Sequence, residues 1–449
     1  MANKILIADR GEVVLRIART CERMGIATVA IHDAADASSA HVSACDEAVA
    51  IAEGPDAYRN AGAIITAATG IGATAIHPGC GPLRADAAFA AATVAAGLQW
   101  IGSPPEALER FVSTAGRREL ARLAGFRALP SADAAPADAA EAAQQAADIG
   151  YPVSITVPGD DAEPIVAESE DELATAHHDA LSRARAHGGD MRIERWLDRA
   201  RLLSALVVSD GQELVVLGEV ERSLVLADRT LIEESPAPAL RGPGGELRRA
   251  TLREAALGIA REGGLRGLGA ADFALDLEGR LYITGFRAEL PQEHALIEIR
   301  SDLDLVELQL RIAQGERLSS QARRAQPGGH AVQGRIYATP AQRQPTVVTA
   351  LRWPVLAPGS LRVETDLVQG SVAALDREPL LAKVIGHGAT RHQAVLTLDR
   401  ALGEATLEPL ASNLELVREI LCDESFRASQ YDSTFAERVS TELRTRTPA

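Results

Sequence analysis

A chain of 449 residues with 46% apolar side chains can bury several cores, enough for about two to four compact units of ordinary size. Its formal charge of −16 excludes a protein that embraces nucleic-acid phosphates nonspecifically, because such a surface must be basic. No run approaches the roughly 18–20 uninterrupted apolar residues of a membrane-spanning helix, and the polar start lacks the form of a signal peptide. The four cysteines (Cys21, Cys45, Cys80, Cys422) are scattered without a C-x-x-C pair, so a reduced, cytoplasmic setting is expected.

Residues 4–9 read as a strand, 13–24 as a helix, 27–32 as a strand, 58–69 as a helix and 73–76 as a strand ending in His77-Pro78-Gly79. Such alternation implies a parallel sheet covered on both faces. A Gly-Ser-Pro-Pro break at 102–105 places the end of this first unit near residue 113. Helices are expected at 117–124 and 132–149, the second interrupted by Pro136, then strand-like runs at 153–157, 202–208 and 213–220. A helix at 252–262, a strand pair at 270–275 and 281–284 and a helix at 303–314 complete a mixed middle unit. The Gln326-Pro327-Gly328-Gly329 turn is the best linker. Strands at 331–336, 347–353 and 361–364 and helices at 390–402 and 413–421 follow.

Six strings carry a resemblance. They are Ile7–Ile17 (IADRGEVVLRI), His77-Pro78-Gly79 with Gly81 and Leu83, Ile149–Val153 (IGYPV), Glu233–Pro238 (EESPAP), Gln309–Ser319 (QLRIAQGERLS) and Gly329–Ile336 (GHAVQGRI). In this order and at these separations the chain resembles biotin carboxylase over nearly its whole length. The resemblance implies an α/β and α+β multidomain fold: a Rossmann-like pre-ATP-grasp domain at 1–113, an ATP-grasp domain at 114–328 with a flap at about 131–203, and a C-terminal carboxylase domain at 329–449. The family reaction it implies joins ATP and bicarbonate into carboxyphosphate and carboxylates biotin on a carrier protein.

That chemistry needs cations on the nucleotide phosphates, carboxylates around magnesium, and a base and an arginine beside bicarbonate and biotin. The two phosphate lysines of the family are Thr114 and Thr156 here. Lys4 and Lys383 are the only lysines in the chain. Arg117 and Arg118 stand near Thr114 but read as a solvated helix face. The glycine-rich flap loop has become Val157-Pro158-Gly159-Asp160-Asp161-Ala162-Glu163-Pro164, with prolines that cannot donate hydrogen bonds and acids that repel phosphate. Of the magnesium pair, Asp272 takes the first place and Gly285 the second. The family signature N-x-R-x-Q-V-E-H reads Arg287-Ala288-Glu289-Leu290-Pro291-Gln292-Glu293-His294, so the bicarbonate arginine is Glu289 and the base, by resemblance Glu293, has nothing held beside it. The nucleotide-side histidine and glutamate are Leu202 and Ser204, and the basic stretch beyond them reads Leu226-Ala227-Asp228-Arg229-Thr230.

Other matching residues persist. Glu194 and Leu197 occupy the hinge facing adenine and ribose, Arg335 matches the arginine that stabilises the biotin enolate, and Lys383 falls in a C-terminal motif, Glu378-Pro379-Leu380-Leu381-Ala382-Lys383. For Arg335 a buried structural role and a site role stand open. The selective losses lead to the expectation of a non-catalytic structural or regulatory subunit with no cofactor. The alternative is an active biotin carboxylase, or an ATP-grasp ligase, with relocated residues and with ATP and magnesium. Expected partners are a second copy, an active biotin carboxylase paralogue, a biotin carrier protein or another carboxylase subunit, with no nucleic acid and no membrane. Arg19 and Arg23, like charges one turn apart on the first helix, point to a changed homodimer or a more acidic partner helix.

Overall fold

The computed structural model describes residues 3–446 except 52, 53, 55, 133, 158–163, 188–190, 228, 326, 340, 341, 343 and 376–378, and the side chains of 114, 186 and 187. The expectations placed on Asp160, Asp161, Glu163, Asp228, Gln326 and Glu378 lie outside the described residues, as does the side chain of Thr114.

The first sheet is parallel, in the order β3-β2-β1-β4-β5, from β1 (Lys4–Ile7), β2 (Ala27–His32), β3 (Glu47–Ala50), β4 (Ala75–His77) and β5 (Gln99–Trp100). The helix Glu12–Met24 buries Val13, Val14, Ile17 and Cys21 against it, a stripe of helical spacing, and stops at Gly25 in the left-handed region. Arg19 and Arg23 do not face each other unrelieved. Arg23 donates to Asp304 at 2.7 Å and to Glu307 at 3.3 Å, so the chain itself supplies the acids that a partner helix was expected to bring.

The string after β4 has a local cause. A Cβ on Gly79 would lie 2.3 Å from Asp9 Oδ2, and one on Gly81 2.6 Å from Oδ1. The two glycines therefore let the Asp9 carboxylate seat at the end of β1, where it accepts from Cys80 N at 2.7 Å and Arg10 N at 2.8 Å. Burial pushes its pKa up to about 7 despite these bonds. An acid raised in the folded state adds stability below its unfolded pKa of 3.8 and loses it as pH rises through about 7. Wild type should therefore lose on the order of a few kcal/mol relative to Asp9→Asn between pH 4 and 7. Urea unfolding at several pH values measures this, and parallel profiles for the two proteins would refute it.

The flap is a three-stranded antiparallel sheet of β6 (Val153–Thr156), β7 (Ile165–Ala167) and β8 (Arg192–Arg195), in the order β7-β6-β8. Its helix Ala139–Ile149 begins only after Pro136, with Asp138 capping Glu141 N. The remaining large sheet has the order β13-β12-β9-β10-β11-β14-β19-β17. Its members are β9 (Arg201–Ser209), β10 (Leu214–Leu226), β11 (Arg229–Ser235), β12 (Gly267–Leu275), β13 (Leu281–Arg287), β14 (His330–Tyr337), β17 (Leu361–Glu364) and β19 (Leu380–Gly388). Because β14 pairs with β11, the sequence on either side of the expected linker belongs to one sheet: the chain re-enters the sheet it left.

The single strand expected at 347–353 is two, β15 (Thr346–Val347) and β16 (Ala350–Arg352). These pair with different partners, β18 (Val372–Ala373) and β20 (Thr406–Glu408), a division that β-propensity alone does not reveal. Among the described residues no helix is long and apolar enough to cross a membrane.

Candidate active site

Strand register builds the floor of the site. Asp272 on β12 lies opposite Ser204 on β9 and Gly285 on β13. Asp272, at the first place of the magnesium pair, is the node of an ion-pair network. Its carboxylate takes Arg287 Nε at 2.8 Å and Nη2 at 2.9 Å, Arg222 Nη1 at 3.0 Å and Ser204 Oγ at 2.6 Å. Burial alone would raise the Asp272 pKa; the Arg287 and Arg222 guanidiniums outweigh it and hold the group below its ordinary value.

Arg287 also closes on Glu293, Nη2 to Oε1 at 2.5 Å and Nη1 to Oε2 at 3.2 Å. Burial opposes ionisation of Glu293, but Arg287, with Arg222 and Arg335 behind it, keeps the carboxyl charged far into acid. Glu289, at the anion-arginine position, turns away to Arg84 at 2.7 Å, and burial raises its pKa despite that partner. Along the signature the cation has in effect moved from 289 to 287, and a carboxylate stands at 289. That exchange is visible in the sequence string itself; its consequence for Glu293 needed the coordinates.

Arg335 grips Glu233 through Nε at 3.0 Å and Nη2 at 2.7 Å, and its Nη1 reaches Gln292. Gln333 donates to the same Glu233 at 2.5 Å. Lys383 is buried against Glu12 at 2.8 Å and Glu364 at 3.0 Å, and Lys4 pairs with Glu47 at 2.6 Å. Neither lysine of the chain serves the flap.

Between the flap and the large sheet lies a cleft of about 500 Å³. Trp196, Leu197, Leu202 and Ala274 give it apolar walls, and Glu194, Ser154, Thr156 and Thr284 supply polar groups. Glu194 and Leu197, singled out from the sequence, therefore line one cavity, whereas Glu293 and Arg335 belong to the ion-pair floor. An apolar slot with a few convergent polar groups suits a purine ring and ribose. The magnesium pair is the element that the residues do not fit, since Asp272 is occupied by two guanidiniums and Gly285 has no side chain. Among the described residues no group of three or more His, Cys, Asp and Glu gathers as a metal site.

The sheets, flap and cleft define a three-domain fold built around an ATP-grasp unit. Residues 1–108 match the family described as "Biotin carboxylase, N-terminal domain", 115–321 the "Carbamoyl-phosphate synthase L chain, ATP binding domain" and 333–438 the "Biotin carboxylase C-terminal domain". A protein named biotin carboxylase from Halalkalibacterium halodurans is 32% identical over 443 residues, 97% of each chain. The mitochondrial methylcrotonoyl-CoA carboxylase subunit alpha of Oryza sativa subsp. japonica is also 32% identical, over 98% of this chain but 61% of its own length. The chain thus spans about three-fifths of that longer subunit. Among solved structures, the biotin carboxylase domain dimer of the Hydrogenobacter thermophilus 2-oxoglutarate carboxylase, in complex with MgADP, ADP and bicarbonate, superposes with a TM-score of 0.91 at 28% identity, covering 100% of this chain and 99% of that one. This chain belongs to the biotin carboxylase family. The expectation that no cofactor attaches to it is overturned by the match of 115–321 to an ATP-binding domain and by the magnesium-nucleotide complex of so similar a structure.

Proposed function

We propose that this chain is an adenine-nucleotide-binding subunit of a biotin-dependent carboxylase system in which the carboxylation centre is held closed by its own ion pairs. One observation carries the reading. Arg287 binds Asp272 and Glu293 together, which ties the base and the remaining metal carboxylate into one neutralised cluster. A base acts by being within reach of a proton with its lone pairs available. Those of Glu293 are engaged by a guanidinium, and Glu289 sets a negative charge where the family holds an anion. The cleft binds the nucleotide base and ribose through its apolar walls and Glu194. The chain works beside a second biotin carboxylase chain, a biotin carrier or another carboxylase subunit.

A second reading is an active biotin carboxylase with relocated cations. The comparisons speak for it, because the relatives at 32% identity are named biotin carboxylase or carboxylase subunit. Arg287 at the base and Arg117, bonded to Thr284 at the cleft wall, supply charges it requires. Both readings need a nucleotide. Titration calorimetry with ATP and ADP should give saturable heat that weakens about tenfold or more in Glu194→Ala. The absence of heat with every adenine nucleotide would remove both readings.

A further inference from the structure

The cleft has lost both family lysines, yet it is not short of positive charge. Arg117, three residues into the helix Thr114–Leu123, does not form the solvated face that its sequence position suggested. It is half-buried, and its Nη1 donates to Thr284 O at 3.1 Å, at the wall of the cleft. A Cβ on Gly285 would stand 3.7 Å from that same Nη1 and 3.7 Å from Asp272 Oδ2. The place of the missing second carboxylate is therefore faced by a guanidinium.

On the other side, Arg192 on β8 is the register partner of Thr156 on β6, as Glu194 is of Ser154. Directly opposed residues of an antiparallel pair project to one face, and Ser154, Thr156 and Glu194 all line the cleft. Arg192 thus shares the face of the threonine that replaces a lysine. Arg117 feels it: burial lowers the Arg117 pKa first and the Arg192 charge lowers it further, while Glu194 and Asp272 draw it back up only in part. Two cations brought toward each other at a cavity wall are stabilised by an anion between them. Lys4 and Lys383, bound elsewhere, offer no substitute.

We infer that Arg117 and Arg192 are the phosphate-binding cations of this chain, each taking over from a lost lysine across one turn of helix or one rung of the flap sheet. The inference rests on the nucleotide-binding reading above. Its mark is a loss that scales with phosphate number. In Arg117→Ala/Arg192→Ala, ATP affinity should fall about a hundredfold and ADP affinity less, while adenosine binds as to wild type, which also establishes that the variant is folded. Arg117→Lys in the otherwise native chain should retain most of the ATP affinity. Unchanged ATP affinity in the double variant would overturn the inference and leave the nucleotide reading intact. An equal loss for adenosine and ATP would overturn it too, since the arginines would then act through the fold. Failure of wild type to bind any of the three would instead remove the underlying reading.

Discussion

Arg287→Ala should destabilise the protein by about 3–5 kcal/mol, because it takes the common partner from the buried Glu293 and the part-buried Asp272. Asp272 would keep Arg222 and Ser204, but Glu293 would lose its direct cation. Adding Glu293→Gln to Arg287→Ala should recover much of the loss, since a neutral amide needs no counter-ion. Urea unfolding of the single and double variants measures both effects. A single variant within about 0.5 kcal/mol of wild type, the range of an ordinary surface change, would show that the cluster contributes nothing to the fold.

Arg335→Ala should cost a similar amount, about 3–5 kcal/mol, by stranding Glu233 in the interior with Gln333 as its remaining donor. The paired replacement Arg335→Met/Glu233→Leu should restore most of that stability, because an ion pair exchanged for apolar groups of similar volume is often neutral. This settles a choice that the sequence left open. A structural arginine predicts the loss and its rescue. A residual site residue predicts near-normal stability of Arg335→Ala.

The fold was legible because its signals are local and redundant. Helical stripes such as Val13, Val14, Ile17 and Cys21, and β-runs such as 27–32, follow from burial periodicity. Short strings such as His77-Pro78-Gly79 are tied to one steric demand, the seating of Asp9. Apart from Glu194 and Leu197, which line the cleft, the site was legible by subtraction. Sequence position identified the absent lysines at 114 and 156 and the charge reversal at 289, but it could not show what fills a vacated place. Arg117 reaches inward to Thr284 O beside Gly285, and Arg192 matters because antiparallel register sets it opposite Thr156. Arg222 meets Asp272 from 50 residues away. All three depend on pairings between distant segments, which no spacing in the chain encodes.

The most direct test of the closed carboxylation centre is ADP release by the purified protein at saturating ATP and magnesium, with bicarbonate and biotin or its carrier added and withheld. The ion-pair cluster predicts a rate no higher than that of Glu293→Gln and no response to bicarbonate or biotin. ADP release that rises with both substrates in wild type and is lost in Glu293→Gln would contradict it and establish the chain as a working carboxylase.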